Sequence, residues 1–192
     1  MMPRLNPIPF WFLRHGETDW NAELRFQGHA DRSLNETGRA QARALADEFA
    51  DVEAEAIYSS DLARARETAE ILGERLGLPV IEVRELREID VGNWEGLTSD
   101  EVAARFPDAS GGWRRGETYD DLAARVLPAL ERIARAHPAG RVVVVGHGGT
   151  IRTLRAHMAR MTVDEHRRIL PPIRNCEVLH IDVGDVGFRP VD

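Results

Sequence analysis

The sequence predicts an α/β fold, because short apolar strands alternate with amphipathic helices along most of its length. The strongest strand signal is Arg141–Val145, a run of four valines that is followed by glycine. Such a β-branched run is typical of a central strand covered on both faces. A length of 192 residues with 43% hydrophobic content suits one compact domain, so we expect residues 1–192 to form a single domain.

The other strands and helices follow from the same apolar patterns. Further strands are predicted at 8–12, 56–59, 80–83, 176–182 and 186–189. Helices are predicted after Asn35, through Leu62–Leu76, around Val102 and Phe106, from Asp120 to His137, from Ile151 to Met161 and over 163–169. Asn35 is expected to cap the first helix, and Ser60 or Asp61 the second. Pro128 is expected to kink or divide the helix that contains it.

Composition excludes several classes of function. The formal net charge of -7 and the pI near 5.5 argue against nucleic-acid and anionic-membrane partners, which require a basic surface. The single cysteine, Cys176, fits a reducing compartment. No apolar run is long enough for a signal peptide at the start or for a membrane span elsewhere. We therefore expect a soluble cytoplasmic protein with no nucleic-acid or membrane partner.

The most informative stretch is Leu13–Thr18, which follows the first predicted strand and therefore lies at its tip. Arg14 precedes His15, so a cation that can hold an anion stands beside a ring that is a nucleophile near neutral pH. Gly16 is expected to let a ligand approach the backbone closely. The pair indicates phosphate chemistry. On these six residues alone, a histidine held by structural hydrogen bonds in a turn is the alternative.

A second histidine has an equivalent position, because Gly146–Thr150 follows the valine strand and precedes a helix. His15 and His147 are therefore expected at the carboxyl ends of neighbouring strands. Arg64 lies in the first turn of the helix that begins near Leu62, and it can face the same crevice because open α/β sheets bind ligands at that edge. A surface arginine in a charge-rich helix is the alternative for Arg64.

These motifs together resemble the histidine phosphatase superfamily, also called the phosphoglycerate mutase-like family. Its Arg-His-Gly-Glu-Thr signature is present as Arg14–Thr18, its Leu-x-Glu and Gly-x-Trp-Glu-Gly segment as 86–96, and its His-Gly-Gly signature as 147–149. The resemblance covers the chain from Leu13 to about Thr150. It implies a three-layer α/β sandwich, in which a mostly parallel central sheet carries helices on both faces.

The resemblance also implies hydrolysis of a small phosphorylated substrate through a phosphohistidine on His15. Glu88 would be the proton donor, and Arg14, Arg64 and a protonated His147 would neutralise the phosphoryl oxygens. These side chains would replace a metal ion, so no metal and no other cofactor are expected. The candidate substrate contacts are Asn21, Gln27, Gly28 and Gly148.

Three features favour a phosphatase over a mutase. The chain is compact compared with glycolytic mutases, which carry extra insertions. The residues Ile89–Val91 occupy the position at which mutases have a sequence that resembles Arg-His-Tyr. The sequence of Gly92–Gly96 resembles that of phosphatases. Arg114 and Arg115 are contrary evidence, because mutases hold phosphoglycerate with paired arginines on this side. We take both as candidate substrate-binding residues in a lid-like segment at about 97–118.

Two alternatives stay open, a cofactor-dependent phosphoglycerate mutase and a non-catalytic phosphate-dependent binding or regulatory module. The complete set of His15, Glu88 and His147 argues against the non-catalytic module. Either a monomer or a homodimer is compatible with the sequence.

Overall fold

The computed structural model describes residues 6–107, 113, 115–184 and 187–191, and the six strands in these ranges form one sheet. The strands are β1 Ile8–Arg14, β2 Ala56–Ser59, β3 Val80–Glu82, β4 Val142–Gly146, β5 Val178–Gly184 and β6 Gly187–Pro190. Their order is β3-β2-β4-β1-β5-β6. Only β5 runs against its neighbours, so the sheet is mostly parallel, as predicted.

Helices cover both faces of this sheet. They are α1 Asp19–Ala22, α2 Glu36–Glu48, α3 Ala63–Leu76, α4 Ser99–Arg105, α5 Tyr119–Ala136, α6 Gly148–Ala159 and α7 Val163–Ile169. Apolar side chains of α2 and α3 pack on one face, and those of α5 and α6 pack on the other. The three-layer sandwich is confirmed. None of the described helices has the length and apolar character needed to cross a lipid bilayer.

The valine run of β4 explains the layering, because successive side chains of a strand point to opposite faces. Val142 and Val144 pack with α5 and α6, whereas Val143 and Val145 pack with α2 and α3. All four side chains are fully buried. A strand covered on both faces has no polar side, and this is why its sequence shows no alternation.

The parallel pairing of β1 with β4 places the two histidines side by side. Arg14 is in register with Gly146, so His15 and His147 are the next residues as the two strands leave the sheet. The backbone N–H of His15 donates to the Gly146 carbonyl at 3.0 Å. Ligands of open α/β sheets bind at this carboxyl edge, and it contains the site described below.

Two local predictions are wrong or only partly right. Neither Ser60 nor Asp61 caps α3, whose N-cap is Leu62 with no side-chain cap bond. The Asp61 carboxylate instead forms a bidentate ion pair with Arg87, at 2.6 and 2.7 Å, which lowers the pKa of Asp61. Asn35 does cap α2. Pro128 lies inside α5 without dividing it.

Gly16 has a packing role that differs from the predicted one. A Cβ atom at this position would lie 2.5 Å from the carbonyl oxygen of Gly38, in the first turn of α2. The backbone N–H of Gly16 also donates to Thr68 Oγ1 in α3 at 3.1 Å. The residue is therefore glycine because two backbones touch. Through these two contacts the loop that follows His15 packs on α2 and α3.

Candidate active site

A cavity of about 200 Å³ opens at the carboxyl ends of β1 and β4. It brings together seven of the predicted site residues, which are Arg14, His15, Asn21, Gln27, Gly28, Arg64 and Glu88. Its wall also includes side chains that were not predicted, which are Arg25, Phe26, Tyr119, Arg152 and Arg167. Such a volume suits a small molecule.

The ring of His15 is fixed by a hydrogen bond to its own loop. Its Nδ1 lies 2.6 Å from the carbonyl oxygen of Gly16. A carbonyl only accepts, so Nδ1 carries the proton and donates it, and Nε2 of the neutral ring has a free lone pair. Burial lowers the pKa of His15 well below its usual value, and the positive charges of Arg64 and Arg14 lower it further. His15 is therefore neutral and nucleophilic near pH 7.

His147 lies against His15 and is completely buried, with 5.3 Å between the two ring centroids. Neither of its ring nitrogens has a hydrogen-bond partner in the part of the chain that the structure describes. Burial, Arg64 and the neighbouring His15 lower the pKa of His147 well below the usual histidine value. Burial therefore favours the neutral ring of His147 in the empty site. The expected protonation of His147 applies to the site with a phosphoryl group bound, and it stays a prediction.

The positive charge of the site comes from Arg14 and Arg64. Arg64, 1% exposed, donates from Nη1 to the Ala30 carbonyl and from Nη2 to the Gly28 carbonyl, both at 2.8 Å. Burial lowers its pKa to about 10, so it stays protonated at neutral pH. Burial also lowers the pKa of Arg14, which donates to the Ile173 carbonyl. Among the described residues neither guanidinium has an ion-pair partner within 4.0 Å.

Most of the unpaired buried polar atoms belong to residues that line the cavity or to His147, which lies against His15. Within the described ranges they are Arg14 Nε, Arg64 Nε, both ring nitrogens of His147, Gln27 Oε1 and Thr150 Oγ1. A buried polar group left unpaired costs about 1–3 kcal/mol, so such a cluster needs a functional reason. Two guanidinium donors and two imidazole rings suit an anion with several acceptor oxygens.

Glu88 is aimed at the site by two backbone amides. Its Oε1 accepts from the Ile89 N–H at 2.8 Å and its Oε2 from the Gly149 N–H at 3.0 Å. Gly149 belongs to the first turn of α6, and a Cβ atom there would collide with the Glu88 carboxylate. Glycine is therefore required at 149 for the carboxylate to reach the helix terminus.

The loop that carries Glu88 is held from behind by Arg125 of α5. Its guanidinium donates to the carbonyls of Glu85, Arg87 and Glu88, each at 2.7 Å. It also forms a bidentate ion pair with Glu117 at 2.7 Å. One side chain therefore anchors the whole loop, and Glu117 connects that loop to the lid-like segment.

Comparison with known proteins identifies the family. The family model described as "Histidine phosphatase superfamily (branch 1)" matches residues 10–192. This chain belongs to that superfamily.

Among the described residues, no three His, Cys, Asp or Glu side chains are grouped so that they could hold a metal ion.

Several members of the superfamily are similar over most of the chain. The "uncharacterized phosphatase PhoE" of Bacillus subtilis is 39% identical over 142 residues, which are 74% of this chain and 72% of that protein. The structure of Bacillus stearothermophilus YhfR superposes with a TM-score of 0.89 at 35% identity, covering 96% of this chain and 95% of that one. A mycobacterial glucosyl-3-phosphoglycerate phosphatase, in complex with VO3, superposes with a TM-score of 0.82 at 35% identity, covering 91% and 90%.

The predicted substrate contacts have different outcomes. Asn21, Gln27 and Gly28 line the cavity. The Asn21 side-chain oxygen accepts from the Thr18 N–H and from Asn175 Nδ2, so its NH2 group remains as the donor for a ligand. Gly148 begins α6, and a Cβ atom there would lie 3.5 Å from Arg14 Nε.

Of the two arginines predicted as substrate contacts in the lid-like segment, the structure describes only Arg115. Arg115 is exposed, with a φ of 62°, and is absent from the described residues that line the cavity. Arg114 lies outside the described residues. Trp113 of the same segment does line the cavity, and its Nε1 donates to the Glu117 carbonyl at 2.6 Å.

The role of Arg125 makes a testable prediction about stability. Arg125→Met should lower the free energy of unfolding by about 3 kcal/mol, because it leaves the half-buried carboxylate of Glu117 without its ion pair and three loop carbonyls without their hydrogen-bond donor. Arg132→Met, on the same helix, is the matched control, since its exposed pair with Glu85 contributes less than about 1 kcal/mol. Urea unfolding of the two variants measures the difference. Equal losses would show that Arg125 has no special anchoring role.

Proposed function

We propose that this protein hydrolyses phosphomonoesters of small metabolites through a phosphohistidine formed at Nε2 of His15. The observation that carries the proposal is the fixed tautomer of His15 in a cavity with Arg14 and Arg64, neither of which has a carboxylate partner in the described part of the chain. A neutral imidazole that points its lone pair into a cationic cavity is arranged for attack on phosphorus. Membership of the superfamily supports the same chemistry.

In the proposed first step, His15 Nε2 attacks phosphorus in line with the ester oxygen. The new N–P bond forms as the P–O bond breaks, and Glu88 gives its proton to the departing alkoxide. In the second step, Glu88 takes a proton from a water molecule whose oxygen attacks phosphorus. The N–P bond then breaks, which releases phosphate and returns His15 to its starting state.

Arg14 and Arg64 would stabilise the three equatorial oxygens of the transferring group. Their unpaired Nε donors and their fixed positions mean that little reorganisation is needed when the phosphoryl group arrives. His147 is neutral in the empty site, and it would gain a proton or donate from one nitrogen once a phosphoryl dianion lies beside it.

A hydrolase is favoured over a mutase by the cavity wall. Ile89 and Val91 line the cavity in the segment where mutases resemble Arg-His-Tyr, and Arg115 does not line it. A mutase must hold its substrate while the phosphoryl group changes position, whereas a hydrolase must admit water. Incubation with 3-phosphoglycerate discriminates the two, because a hydrolase releases inorganic phosphate and a mutase forms 2-phosphoglycerate.

We also propose that the protein works in the cytoplasm, as a monomer or homodimer, on small phosphorylated substrates. The half-buried free thiol of Cys176 supports a reducing compartment.

The cationic site predicts metal-independent activity. Hydrolysis of p-nitrophenyl phosphate should survive exhaustive EDTA treatment, because arginine side chains supply the charge neutralisation. Arg64→Met should reduce kcat by about 10²–10³, the scale of losing one preorganised donor. Arg66, two residues further along α3, is half-buried, pairs with Glu70 and is not among the described residues of the cavity wall. It is the matched control, and Arg66→Met should retain most of the activity. Loss of activity in EDTA that magnesium restores would contradict the assignment.

The role of Glu88 predicts a dependence on the leaving group. Glu88→Gln should slow hydrolysis of an alkyl phosphate by about 10²–10⁴, since the alkoxide then departs without a proton. With p-nitrophenyl phosphate, whose phenolate leaves unaided, the variant should show a burst of p-nitrophenol and then slow turnover. Stopped-flow absorbance measures the burst. Equal slowing with both esters and no burst would leave Glu88 only a structural role.

A further inference from the structure

The direction of the buried Arg64 guanidinium is set by one turn of the chain, at residues 28–31. Its Nη1 donates to the Ala30 carbonyl and its Nη2 to the Gly28 carbonyl, both at 2.8 Å. Its Nε has no hydrogen-bond partner among the described residues. A guanidinium has five N–H donors in one plane. Two bonds to the same turn therefore fix the direction of the donors that remain for a ligand.

The turn itself is held from its other side by Glu95. The Oε1 atom of Glu95 accepts from the N–H of His29 at 2.6 Å and from the N–H of Ala30 at 3.0 Å. The Ala30 N–H is shared with the Gln27 carbonyl, which closes the turn at 2.9 Å. Gly28 has a φ of 52°, and a Cβ atom there would lie 2.6 Å from Glu95 Oε1. Glycine is therefore needed at 28 both for the left-handed backbone and for the approach of the carboxylate.

One peptide group connects Arg64 to Glu95. The Gly28 carbonyl, which accepts from Arg64, and the His29 N–H, which donates to Glu95, belong to the same peptide group. The positive and the negative side chain polarise this peptide in the same direction, and hydrogen bonds arranged in such a chain strengthen one another. Glu95 is half-buried and is not among the described residues of the cavity wall. It can therefore stabilise Arg64 without occupying the position of a ligand.

Two further hydrogen bonds attach the turn to its surroundings. The Asp31 carboxylate accepts from the N–H of Ala63 at 2.6 Å, at the first residue of α3 and next to Arg64. His29 Nε2 lies 2.8 Å from the Glu88 carbonyl oxygen, and this nitrogen donates because a carbonyl only accepts. The turn therefore contacts both Arg64 and the segment that carries the proposed proton donor.

We propose that Glu95 is a positioning residue, which holds the turn at 28–31 so that Arg64 presents its remaining donors to the phosphoryl group. The inference rests on the proposed hydrolase function. It assigns no proton transfer to Glu95, because this carboxylate is engaged by two backbone amides. Without those two bonds the carbonyls of Gly28 and Ala30 would be free to rotate away from Arg64, and the guanidinium would lose its fixed direction.

Substitution of Glu95 is the first test. Glu95→Ala should lower kcat for p-nitrophenyl phosphate by about 10- to 100-fold, the scale of a hydrogen bond to a charged group. The fall should be smaller in Glu95→Gln, whose side-chain oxygen can accept from the same two amides. It should be larger in Glu95→Asp, whose carboxylate is one methylene too short to reach them. Higher activity in Glu95→Asp than in Glu95→Gln would contradict the proposal, because activity would then follow charge and not contact.

Glu67 provides the matched control for these variants. Its half-buried carboxylate on α3 also accepts from a loop amide, that of Leu34, at 3.1 Å. It is not among the described residues of the cavity wall. Glu67→Ala should therefore retain most of the activity. An equal loss of kcat in Glu67→Ala and Glu95→Ala would show a general effect of removing a loop-bound carboxylate and would overturn the specific role of Glu95.

A double-mutant cycle shows whether Glu95 acts through Arg64. Arg64→Met should lower kcat by about 10²–10³ in the wild type. It should lower kcat much less in Glu95→Ala, because the guanidinium is already misdirected there. An equal effect of Arg64→Met in both backgrounds would overturn the positioning role. Urea unfolding identifies the folded variants, and Glu95→Asp takes the place of Glu95→Ala in the cycle if the alanine variant does not fold.

Binding of inorganic phosphate separates failure of this inference from failure of the proposed function. In calorimetric titrations, Glu95→Ala should weaken phosphate binding in the wild type but not in the Arg64→Met variant. That pattern would support the positioning role even if the wild type hydrolyses no phosphomonoester. Hydrolysis by the wild type, together with an effect of Glu95→Ala on phosphate binding that is the same with and without Arg64, would overturn the positioning role and leave the hydrolase proposal intact.

Discussion

The hydrogen bond from His15 Nδ1 to the Gly16 carbonyl is the interaction on which the proposed chemistry depends. At 2.6 Å it fixes both the tautomer and the direction of the ring. The loop that carries this carbonyl lies against the backbone of Gly38, where a Cβ atom at Gly16 would come within 2.5 Å of the Gly38 carbonyl oxygen. Asn175 adds a second restraint, since its Nδ2 donates to the His15 carbonyl at 3.0 Å. The proposed nucleophile is therefore held by backbone packing and by Asn175, and none of the other proposed catalytic side chains takes part.

Burial of charge at the same site costs free energy, and the rest of the fold must offset this cost. Arg64 is almost completely buried without an ion-pair partner among the described residues, and two neutral histidines stand beside it. Isolated buried charge is costly in free energy. The valine strand β4 and its two helical layers supply the apolar burial that offsets this cost. Binding of the proposed anionic substrate would remove this penalty, so the unfavourable electrostatics of the empty site would contribute to affinity for the anion.

The sequence predicted the fold and the closeness of His15 and His147, because both follow from local signals. Apolar runs locate the strands, and the residue after a strand tip lies at the ligand-binding edge, which placed His15 and His147 together. The neutrality of His147 was not predictable, since it depends on burial by distant elements. Arg125 reads as a polar position of an amphipathic helix, and only the packing of α5 shows that it anchors the Glu88 loop. Arg152 was not predicted to line the cavity. The one local sign is that it lies four residues after Gly148 on α6, and therefore on the same helix face.

The most direct test of this account is the position of the phosphoryl group on the enzyme. The Glu88→Gln variant, prepared with 15N-labelled histidine, should accumulate the phosphoenzyme when it is mixed with p-nitrophenyl phosphate. This phosphoenzyme can be analysed by 31P and 15N NMR. The fixed tautomer predicts a single phosphohistidine at Nε2 of His15, with Nδ1 still protonated and bonded to Gly16. Phosphorylation at Nδ1 of His15 or on another residue would contradict the account. So would a variant that still hydrolyses p-nitrophenyl phosphate without any detectable phosphoenzyme.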